Sequence, residues 1–414
     1  MPVDASHDYS VFEHTLRVVR HLDSPPQDSF IAPVLAGIED LGPLYLAALL
    51  HDVGRQESED SHAEVGEQVA SKVCDRWDVY RATREAVCWL VRNHLEFGRF
   101  IRMRDVMHPD TVQEFAALVG SPERLAMLAA LTWADVNAVA AGTWTPAHET
   151  FMQTLYERTL ALLTTDETVT ADSALTRQRL LRQSKGLDVP HEEYEAFLEA
   201  MPSNYLFSTD PSLALAHYGL YRSALEGSVS VVFHDVPQVG GTDVTVCCRD
   251  APGVLSRILG VLYANDVSIV SIRASTSEGE VPVALDTITA SSSGRPIQKR
   301  KASRIAAQIE SVIAGGEEVD ALIRLSKKDP ERHQQVLEYR LLPGRPAIIE
   351  VQAPRGRGLA FRLSRQLSAV GVDIVGARVG QWAGTGTAAF YVLMDDGTDV
   401  GQETVARALG ERGV

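Results

Sequence analysis

The spacing of apolar side chains divides the chain into a helical first part and a mixed second part. From about residue 10 to residue 165, apolar residues recur at helical spacing and strand-like alternation is nearly absent. Ser10 with Glu13 and Ser61 with Glu64 fit capping boxes, and each pair opens an amphipathic run. Further helices are predicted over residues 44–51, 83–95, 123–141 and 146–163. The pattern therefore predicts an all-α bundle over residues 1–168.

Residues 169–226 carry the pattern of a mostly helical connector, whose last helix begins at Asp210 and Pro211. After residue 226 the pattern changes, because SVSVVF and TDVTVCC are short and rich in β-branched residues, as strands are. The segment HQQVLEYRLLP at residues 333–343 predicts a further strand.

The second part of the chain repeats itself at an offset of 105 residues, which matches Gly253 with Gly358. Between residues 253 and 273, eight of twenty-one positions are identical in the copy. Each copy has the order strand, glycine turn, helix, strand, strand, helix, which predicts two ferredoxin-like α+β units placed side by side. The first copy, with its linking strand, spans residues 227–343, and the second copy spans residues 344–414. The second copy ends in a helix, so we expect the connecting segment to supply its missing strand.

Composition restricts the partners and the compartment. Acidic residues (55) outnumber basic ones (39), and this net charge of −16 disfavours nucleic acid and anionic membranes as partners. No apolar run reaches the roughly 18 residues of a membrane span, and the N-terminus MPVDASHDYS lacks the pattern of a signal peptide. The four cysteines form no CxxC pair, so we expect a cytoplasmic protein without a disulfide framework.

The candidate chemistry lies in polar groups on otherwise apolar helices. The stretch LAALLHDVGR ends an apolar run with a histidine and an aspartate, and a buried carboxylate is costly unless something pairs with it. Four histidines and two aspartates in such settings suit one or two divalent ions, and manganese, iron, zinc and magnesium are all compatible. The predicted metal ligands are His14, His51, Asp52, His62, His94 and Asp135.

These groups predict a metal-dependent phosphohydrolase. A carboxylate such as Asp52 can bridge two ions, and a metal-bound water supplies hydroxide near neutral pH without a serine or cysteine nucleophile. We expect nearby cations to bind the phosphoryl group, with Arg55 as the first candidate and Arg17 and Arg104 as others. The predicted catalytic residues are Asp52, Arg55 and Arg104.

Simpler explanations exist for each residue taken alone. His62 fits a surface histidine, His94 fits a helix C-terminus, and Asp135 fits an arginine partner. The arginines fit surface salt bridges, and a metal could be structural. A non-catalytic amino-acid sensor, with the bundle as a scaffold, is the alternative to an enzyme. The six ligands together, all in helical settings, favour the metal site.

Several motifs resemble the HD-domain metal phosphohydrolases, namely EHTLRVVRHLD, LAALLHDVGR, HAEVG, WLVRNHL and LTWADV. The resemblance continues through MPSNYLFSTDPSLALAHYGL into the repeats, which resemble ACT domains. The whole pattern resembles the C-terminal part of the bifunctional PII uridylyltransferase/uridylyl-removing enzymes. The resemblance implies that His14, His51, Asp52 and Asp135 bind metal and that His62 and His94 are the extra histidines of two-metal HD proteins.

This resemblance implies hydrolysis of the UMP–tyrosine bond on PII, a nucleotidylylated protein, with glutamine sensed by the ACT domains in nitrogen regulation. The family's nucleotidyltransferase domain has no counterpart before His14, so we expect no uridylylation. Arg55 stands where the family usually has a lysine after the histidine–aspartate dyad, which is His51 and Asp52 here. This replacement changes the geometry of the side chain's hydrogen-bond donors. A phosphorylated small molecule or a signalling guanosine nucleotide stays open as the substrate.

The glycine turns of the repeats are the predicted effector site. The first copy keeps a DxPG turn at residues 250–253, whereas the second has RGRG at residues 355–358, which makes the first the better candidate. Backbone N–H groups at a helix N-terminus can bind a small carboxylate. The glycines could equally serve only a tight turn, and the repeats could serve only a homodimer. The predicted amino-acid ligands are Asp250, Gly253, Val254, Leu255, Gly358 and Leu359.

Overall fold

The computed structural model forms two compact units, Met1–Thr170 and Ala171–Val414. It describes residues 10–56, 62–140, 144, 146–164, 173–183, 189–326, 336, 338–354, 358–382, 385–394 and 398–410. Ser61 of the second capping box and Arg355 of the second glycine turn lie outside these residues. The finer boundaries of the predicted domains stay predictions.

Every regular element in the described part of the first unit is a helix, as the sequence predicts. Ser10 accepts a hydrogen bond from the Glu13 backbone N–H at 3.3 Å, and Ser121 caps the longest buried helix in the same way through Arg124. The dyad of His51 and Asp52 lies between the third helix, which ends at Leu50, and a 3-10 turn at Val53–Gln56. The helices are α1 (Val11–Asp23), α2 (Ile31–Ala36), α3 (Gly42–Leu50), α4 (His62–Arg76), α5 (Arg81–Asn93), α6 (Glu96–Met103), α7 (Pro109–Val119), α8 (Pro122–Val139) and α9 (Pro146–Thr164).

Helix α8 is the centre of the first unit. Nearly every residue from Leu125 to Val139 is buried, and the helix packs against α1, α2 and α9. In this apolar surrounding, Asp135 is an exception that needs compensating groups from neighbouring helices. Among the described residues, no single helix is long and apolar enough to cross a membrane, and the bent pair α7 and α8 passes that test by length and composition only.

The second unit begins with connector helices that cover one face of a sheet. Tyr194, Phe197 and Tyr218 of these helices form an aromatic cluster, and the cluster extends to Cys247 and Leu285 on the strands. Burying several aromatic rings at this face stabilises the docking of the connector on the sheet. The helices are α10 (Ser173–Gln183), α11 (His191–Ala200), α12 (Ser203–Ser208) and α13 (Pro211–Leu225).

The remaining residues form one eight-stranded antiparallel sheet with helices on its other face. Its strand order is β1-β2-β4-β3-β7-β8-β6-β5. The strands are β1 (Ser230–Val236), β2 (Gly241–Arg249), β3 (Ser268–Thr276), β4 (Val283–Ser291), β5 (Glu338–Leu342), β6 (Ala347–Pro354), β7 (Val372–Trp382) and β8 (Thr385–Met394). The helices are α14 (Val254–Ala264), α15 (Lys299–Ile313), α16 (Val319–Leu325), α17 (Leu359–Ser368) and α18 (Gln402–Leu409).

The two copies of the repeat pair side by side within this one chain. Strands β3 and β7 join them through the pairs Ser271↔Arg378, Ile272↔Ala377 and Arg273↔Gly376. The offset of 105 converts this set of pairs into itself, so the copies are related by a pseudo-two-fold axis. Strand β5 comes from the predicted strand between the copies, and it pairs with β6 as β1 pairs with β2. The connecting segment therefore supplies the strand that the second copy lacks.

Candidate functional site

The six predicted metal ligands converge in the first unit as two neighbouring triads. Within each triad, one nitrogen or oxygen atom per residue lies within 4.8 Å of the others. All of the histidines are buried, and five helical elements contribute to the cluster. The first triad consists of His14, His51 and Asp135, and the second of Asp52, His62 and His94.

His51 and His94 are oriented by the ends of their own helices. Each follows the last residue of a helix, α3 or α5, where backbone carbonyl groups lack helical partners. The Nδ1 atom of His51 lies 2.9 Å from the Ala48 carbonyl oxygen, and that of His94 lies 2.7 Å from the Val91 carbonyl oxygen. An Nδ1–H that donates to a carbonyl leaves Nε2 as the lone-pair atom, which is the arrangement that metal-binding histidines use.

The first triad is held by a direct contact between α1 and α8. His14 Nε2 lies 2.9 Å from Asp135 Oδ1, and His51 Nε2 lies 3.3 Å from His14 Nε2 and 3.7 Å from Asp135 Oδ1. The aspartate that interrupts the apolar pattern of α8 is therefore compensated by two imidazoles. Three converging donor atoms of this kind suit one divalent ion.

Asp52 belongs to the second triad and also faces the first, with one oxygen toward each pair of histidines. Its Oδ2 is 3.8 Å from His14 Nε2 and 3.6 Å from His51 Nε2. Its Oδ1 is 3.8 Å from His62 Nε2 and 3.9 Å from His94 Nε2. This is the position of a carboxylate that bridges two ions. The histidine and aspartate at the end of the apolar run LAALLHDVGR thus serve both triads.

Two glycines allow α4 to approach the dyad closely enough to bring His62 to Asp52. A Cβ atom on Gly54 would lie 2.0 Å from the His62 carbonyl oxygen and 2.7 Å from the Gly66 nitrogen. A Cβ on Gly66 would lie 3.1 Å from the Val91 side chain. Both glycines stand in the motifs quoted above, but their steric role requires the packed structure.

The charges of the cluster compensate one another without a metal. Burial lowers the pKa of His51, but Asp52 and Asp135 outweigh that effect and raise it to about 9. Burial raises the pKa of Asp52, yet His51 and Arg55 lower it to about 2, and the pKa of Asp135 is lowered well below its usual value by His14 and His51. The proton on His51 thus supplies positive charge that a divalent ion could supply to the carboxylates, and metal binding would release it.

His94 is held in its neutral form. Burial, followed by the charge of His51, lowers the pKa of His94 to about 4. Its buried Nε2 has no hydrogen-bond partner in the part of the chain that the structure describes. A buried, neutral imidazole nitrogen without a hydrogen bond is a costly feature that coordination to a metal would remove. The residues present therefore fit a divalent ion, without selecting its identity.

The three arginines named from the sequence lie in different surroundings. Arg55 Nε is 2.7 Å from Asp52 Oδ1, so this guanidinium contacts the cluster of predicted metal ligands. Arg17 pairs with Glu13 on the surface at 3.0 Å. The Arg104 guanidinium is buried over the Phe100 ring and lies 4.0 Å from a Glu114 carboxylate oxygen. The role of Arg104 in catalysis stays a prediction.

Sequence reasoning missed Arg102, a cation beside the cluster of predicted metal ligands. Burial lowers the pKa of Arg102 to about 10, and the charge of Asp135 opposes that effect more than any other group does. Its Nη1 atom lies 2.7 Å from where a Cβ on Gly98 would be, and that Cβ would also lie 3.7 Å from Thr132, one turn before Asp135 on α8. The missing side chain at Gly98 thus provides the space in which this guanidinium lies. A glycine four residues before an arginine was the available signal.

The predicted effector residues divide between two places in the second unit. A cavity of about 300 Å³ is lined by the glycine turn of the first copy and by α17 and β7 of the second. Gly253 adopts φ +77° as the N-cap of α14, and Gly358 adopts φ +84° as the N-cap of α17. Asp250, Gly253, Val254 and Leu255 line the cavity, whereas Gly358 and Leu359 do not.

Comparison with known proteins agrees with this division into two units. Residues 11–119 match the HD domain family, and residues 242–298, in the first copy of the repeat, match the ACT domain family. The bifunctional uridylyltransferase/uridylyl-removing enzyme of Rhodospirillum rubrum is 28% identical over 411 residues, which cover 95% of this chain and 44% of the relative. The enzyme of the same name from Gluconobacter oxydans is 29% identical over 418 residues, covering 95% and 43%.

The chain thus spans less than half the length of these curated relatives. The HD match contains five of the six predicted ligands, and Asp135 follows it on α8. HD domains bind divalent metals, and the clustered groups provide donors for them. The chain therefore contains an HD domain of the metal-dependent hydrolase type followed by an ACT domain, and it resembles the C-terminal part of the bifunctional uridylyltransferase/uridylyl-removing enzymes.

Proposed function

We propose that the chain is a cytoplasmic metal-dependent phosphodiesterase that removes a nucleotidyl group from a protein, with a uridylylated PII protein as the first candidate substrate. An amino acid, with glutamine as the first candidate, regulates it through the second unit. The observation that carries the proposal is the position of Asp52, whose Oδ2 faces the imidazoles of His14 and His51 and whose Oδ1 faces those of His62 and His94.

The two triads have different tasks in this proposal. His14, His51 and Asp135 would hold one ion, His62 and His94 would hold a second, and Asp52 would contact both. Bound there, the ions supply a hydroxide nucleophile and offset the charge of the phosphoryl oxygens. The hydrogen bonds from Nδ1 to backbone carbonyl oxygens keep His51 and His94 in one orientation and one tautomer.

Two guanidinium groups complete the proposed substrate site. Arg55 comes from the turn after the dyad and Arg102 from α6, so they approach the cluster from different elements. A guanidinium donates two parallel hydrogen bonds to a phosphoryl group and stays charged at all working pH values. We assign both to binding the non-bridging oxygens of the phosphodiester. Metal binding competes for Asp52 and would leave Arg55 available to the substrate.

The second unit is the proposed sensor. Both copies of the repeat have the same element order, and we propose that both are ACT modules. The N-terminal N–H groups of α14, next to the cavity, suit the carboxylate of an amino acid. The cavity also suits the size of a small amino acid.

Hydrolysis with defined metals tests the enzyme. The purified chain, stripped of metal and reloaded with manganese, iron, zinc or magnesium, should hydrolyse bis(4-nitrophenyl) phosphate and release UMP from uridylylated PII. Asp52→Asn should abolish both reactions and lower the bound metal, while Asp75→Asn, on the surface, should change neither. Absence of bound metal and of hydrolysis under all four metals would refute the enzyme and leave the non-catalytic sensor.

A further inference from the structure

The pseudo-two-fold axis of the second unit predicts two equivalent effector sites, one at each glycine turn. At the first, a Cβ on Gly253 would meet only the hydroxyl oxygens of Ser256 and Ser368, each 3.6 Å away. Ser256 belongs to the same copy as Gly253 and Ser368 to the other copy, so both copies form this site. The cavity of about 300 Å³ lies here.

At the second turn, aromatic rings occupy the equivalent space. The offset of 105 matches Ser256 with Phe361 and Ser368 with Tyr263. The Tyr263 ring packs on Gly358, where a Cβ would lie 2.6 Å from its Cε2 atom, and it stacks on Phe361 at 5.9 Å between ring centroids. Two hydroxyl side chains at one site thus correspond to two stacked rings at the other. We call this Tyr263–Phe361 pair the aromatic plug.

The two sites also differ in charge. The open cavity is lined by Asp250, Asp286 and Asp373. The offset matches Asp250 with Arg355 and Asp373 with Ser268. Asp286 pairs with Val246 across the sheet as Ala388 pairs with Val351, so Ala388 is its counterpart. Three carboxyl groups at the open site therefore correspond to none at the plugged one. Their positions are Asp250/Arg355, Asp286/Ala388 and Asp373/Ser268.

Asp286 is a buried carboxyl group on the wall of this cavity, with only 4% of its surface exposed. It accepts a hydrogen bond from the Ser275 backbone N–H, and no lysine, arginine or histidine of the described residues forms an ion pair with it. Burial, together with Asp250 and Asp373, raises its pKa to about 8. A carboxyl group kept without a cation at a cavity wall is costly, and a bound cation would remove that cost.

We propose that the second unit binds one ligand per chain, a primary amine such as an amino acid, whose ammonium group is held by Asp286 in the open cavity, while the aromatic plug keeps the twin site closed. This inference rests on the proposed sensor function and names the recognition element and the stoichiometry of that site. The plug also means that the glycine turn of the second copy is structural.

Binding to the full chain tests the amine and the stoichiometry. Each of the twenty common L-amino acids is screened by melting temperature, and the strongest is titrated calorimetrically beside the carboxylic acid that lacks its amino group. We expect one site per chain, and about tenfold or more weaker binding of the deaminated acid, the loss expected for one charged hydrogen bond. A flat screen, two sites per chain, or equal binding of the deaminated acid would each overturn the proposal.

Substitutions at both sites test the assignment to residues. Asp286→Asn, which keeps the side-chain size, should weaken binding about tenfold or more, whereas Asp399→Asn, at an exposed ion pair, should not. Ser256→Phe with Ser368→Tyr copies the plug into the open cavity and should abolish binding. Full binding by either the Asp286→Asn chain or a folded plugged chain would refute the site. Hydrolysis of bis(4-nitrophenyl) phosphate by the parent reports separately on the metal centre.

Discussion

Replacing Asp286 by asparagine should stabilise the second unit, and increasingly so as the pH rises. In the unfolded chain this carboxyl group titrates near the ordinary value of about 4. In the folded chain, burial and the charges of Asp250 and Asp373 raise its pKa to about 8. Below pH 4 both states are protonated and the group costs nothing. Between the two pKa values the folded state retains a proton that the unfolded state loses, so stability falls as the pH rises, and the loss is complete above pH 8.

The size of the effect follows from the separation of the two pKa values. At pH 7 the pH lies about three units above the pKa of this carboxyl in the unfolded chain, and each unit corresponds to 1.36 kcal/mol. The free energy of unfolding is therefore about 4 kcal/mol lower than it is below pH 4. Asparagine cannot ionise, and its amide oxygen can still accept the hydrogen bond from the Ser275 N–H. For a unit of this size, about 2 °C per kcal/mol converts the gain into a rise of about 8 °C in melting temperature.

Scanning calorimetry of the full chain at pH 5, 7 and 8.5 measures this. The predicted metal ligands all lie in the first unit, so added metal should change the melting temperature of that unit only. The transition whose temperature does not change with added metal is assigned to the second unit. We expect the difference between Asp286→Asn and the parent to be about 1 kcal/mol at pH 5, to grow to pH 8, and then to level off. Asp399→Asn, at a carboxyl group that is 80% exposed, is the matched control and should show no such trend. An Asp286→Asn chain no more stable than the parent at pH 8.5 would refute the reasoning.

Three predictions concern the first unit. Gly54→Ala forces a Cβ against the His62 backbone, so bound metal measured by mass spectrometry should fall about tenfold, whereas Gly37→Ala, with only ordinary contacts at 3.5 Å, should bind metal normally. His62→Ala should reduce two bound ions to one because the triad with His14 is intact, and an unchanged count would contradict two ions. Arg102→Met should lower kcat/KM about 100-fold at unchanged metal content, with partial recovery in Arg102→Lys, and full activity in Arg102→Met would exclude it from the substrate site.

The helices of the first unit and the residues that cluster among them could be predicted because both depend on local pattern. The apolar spacing predicts α8, and the same spacing makes Asp135 visible as an exception that requires partners. The choice between Arg102 and Arg104 could not be made that way. Helix α6 ends at Met103, and Arg104 has extended backbone angles, φ −124° and ψ 150°, so the chain turns away just between the two arginines. Only the space beside Gly98 shows which guanidinium faces α8.

The repeat presents the opposite case, in which a correct pattern concealed a difference. Gly253 and Gly358 both adopt positive φ at the start of a helix, so the turn needs glycine at each whether or not a ligand binds. What separates the two turns is a residue contributed by the other copy, Ser368 at one and Tyr263 at the other, more than a hundred positions along the chain from its glycine in the first case. Because a ring on Gly358 and a cavity at Gly253 arise from the same pseudo-two-fold packing, duplication alone does not imply two binding sites. The side chain that each copy contributes to the glycine turn of the other determines which turn has a binding site.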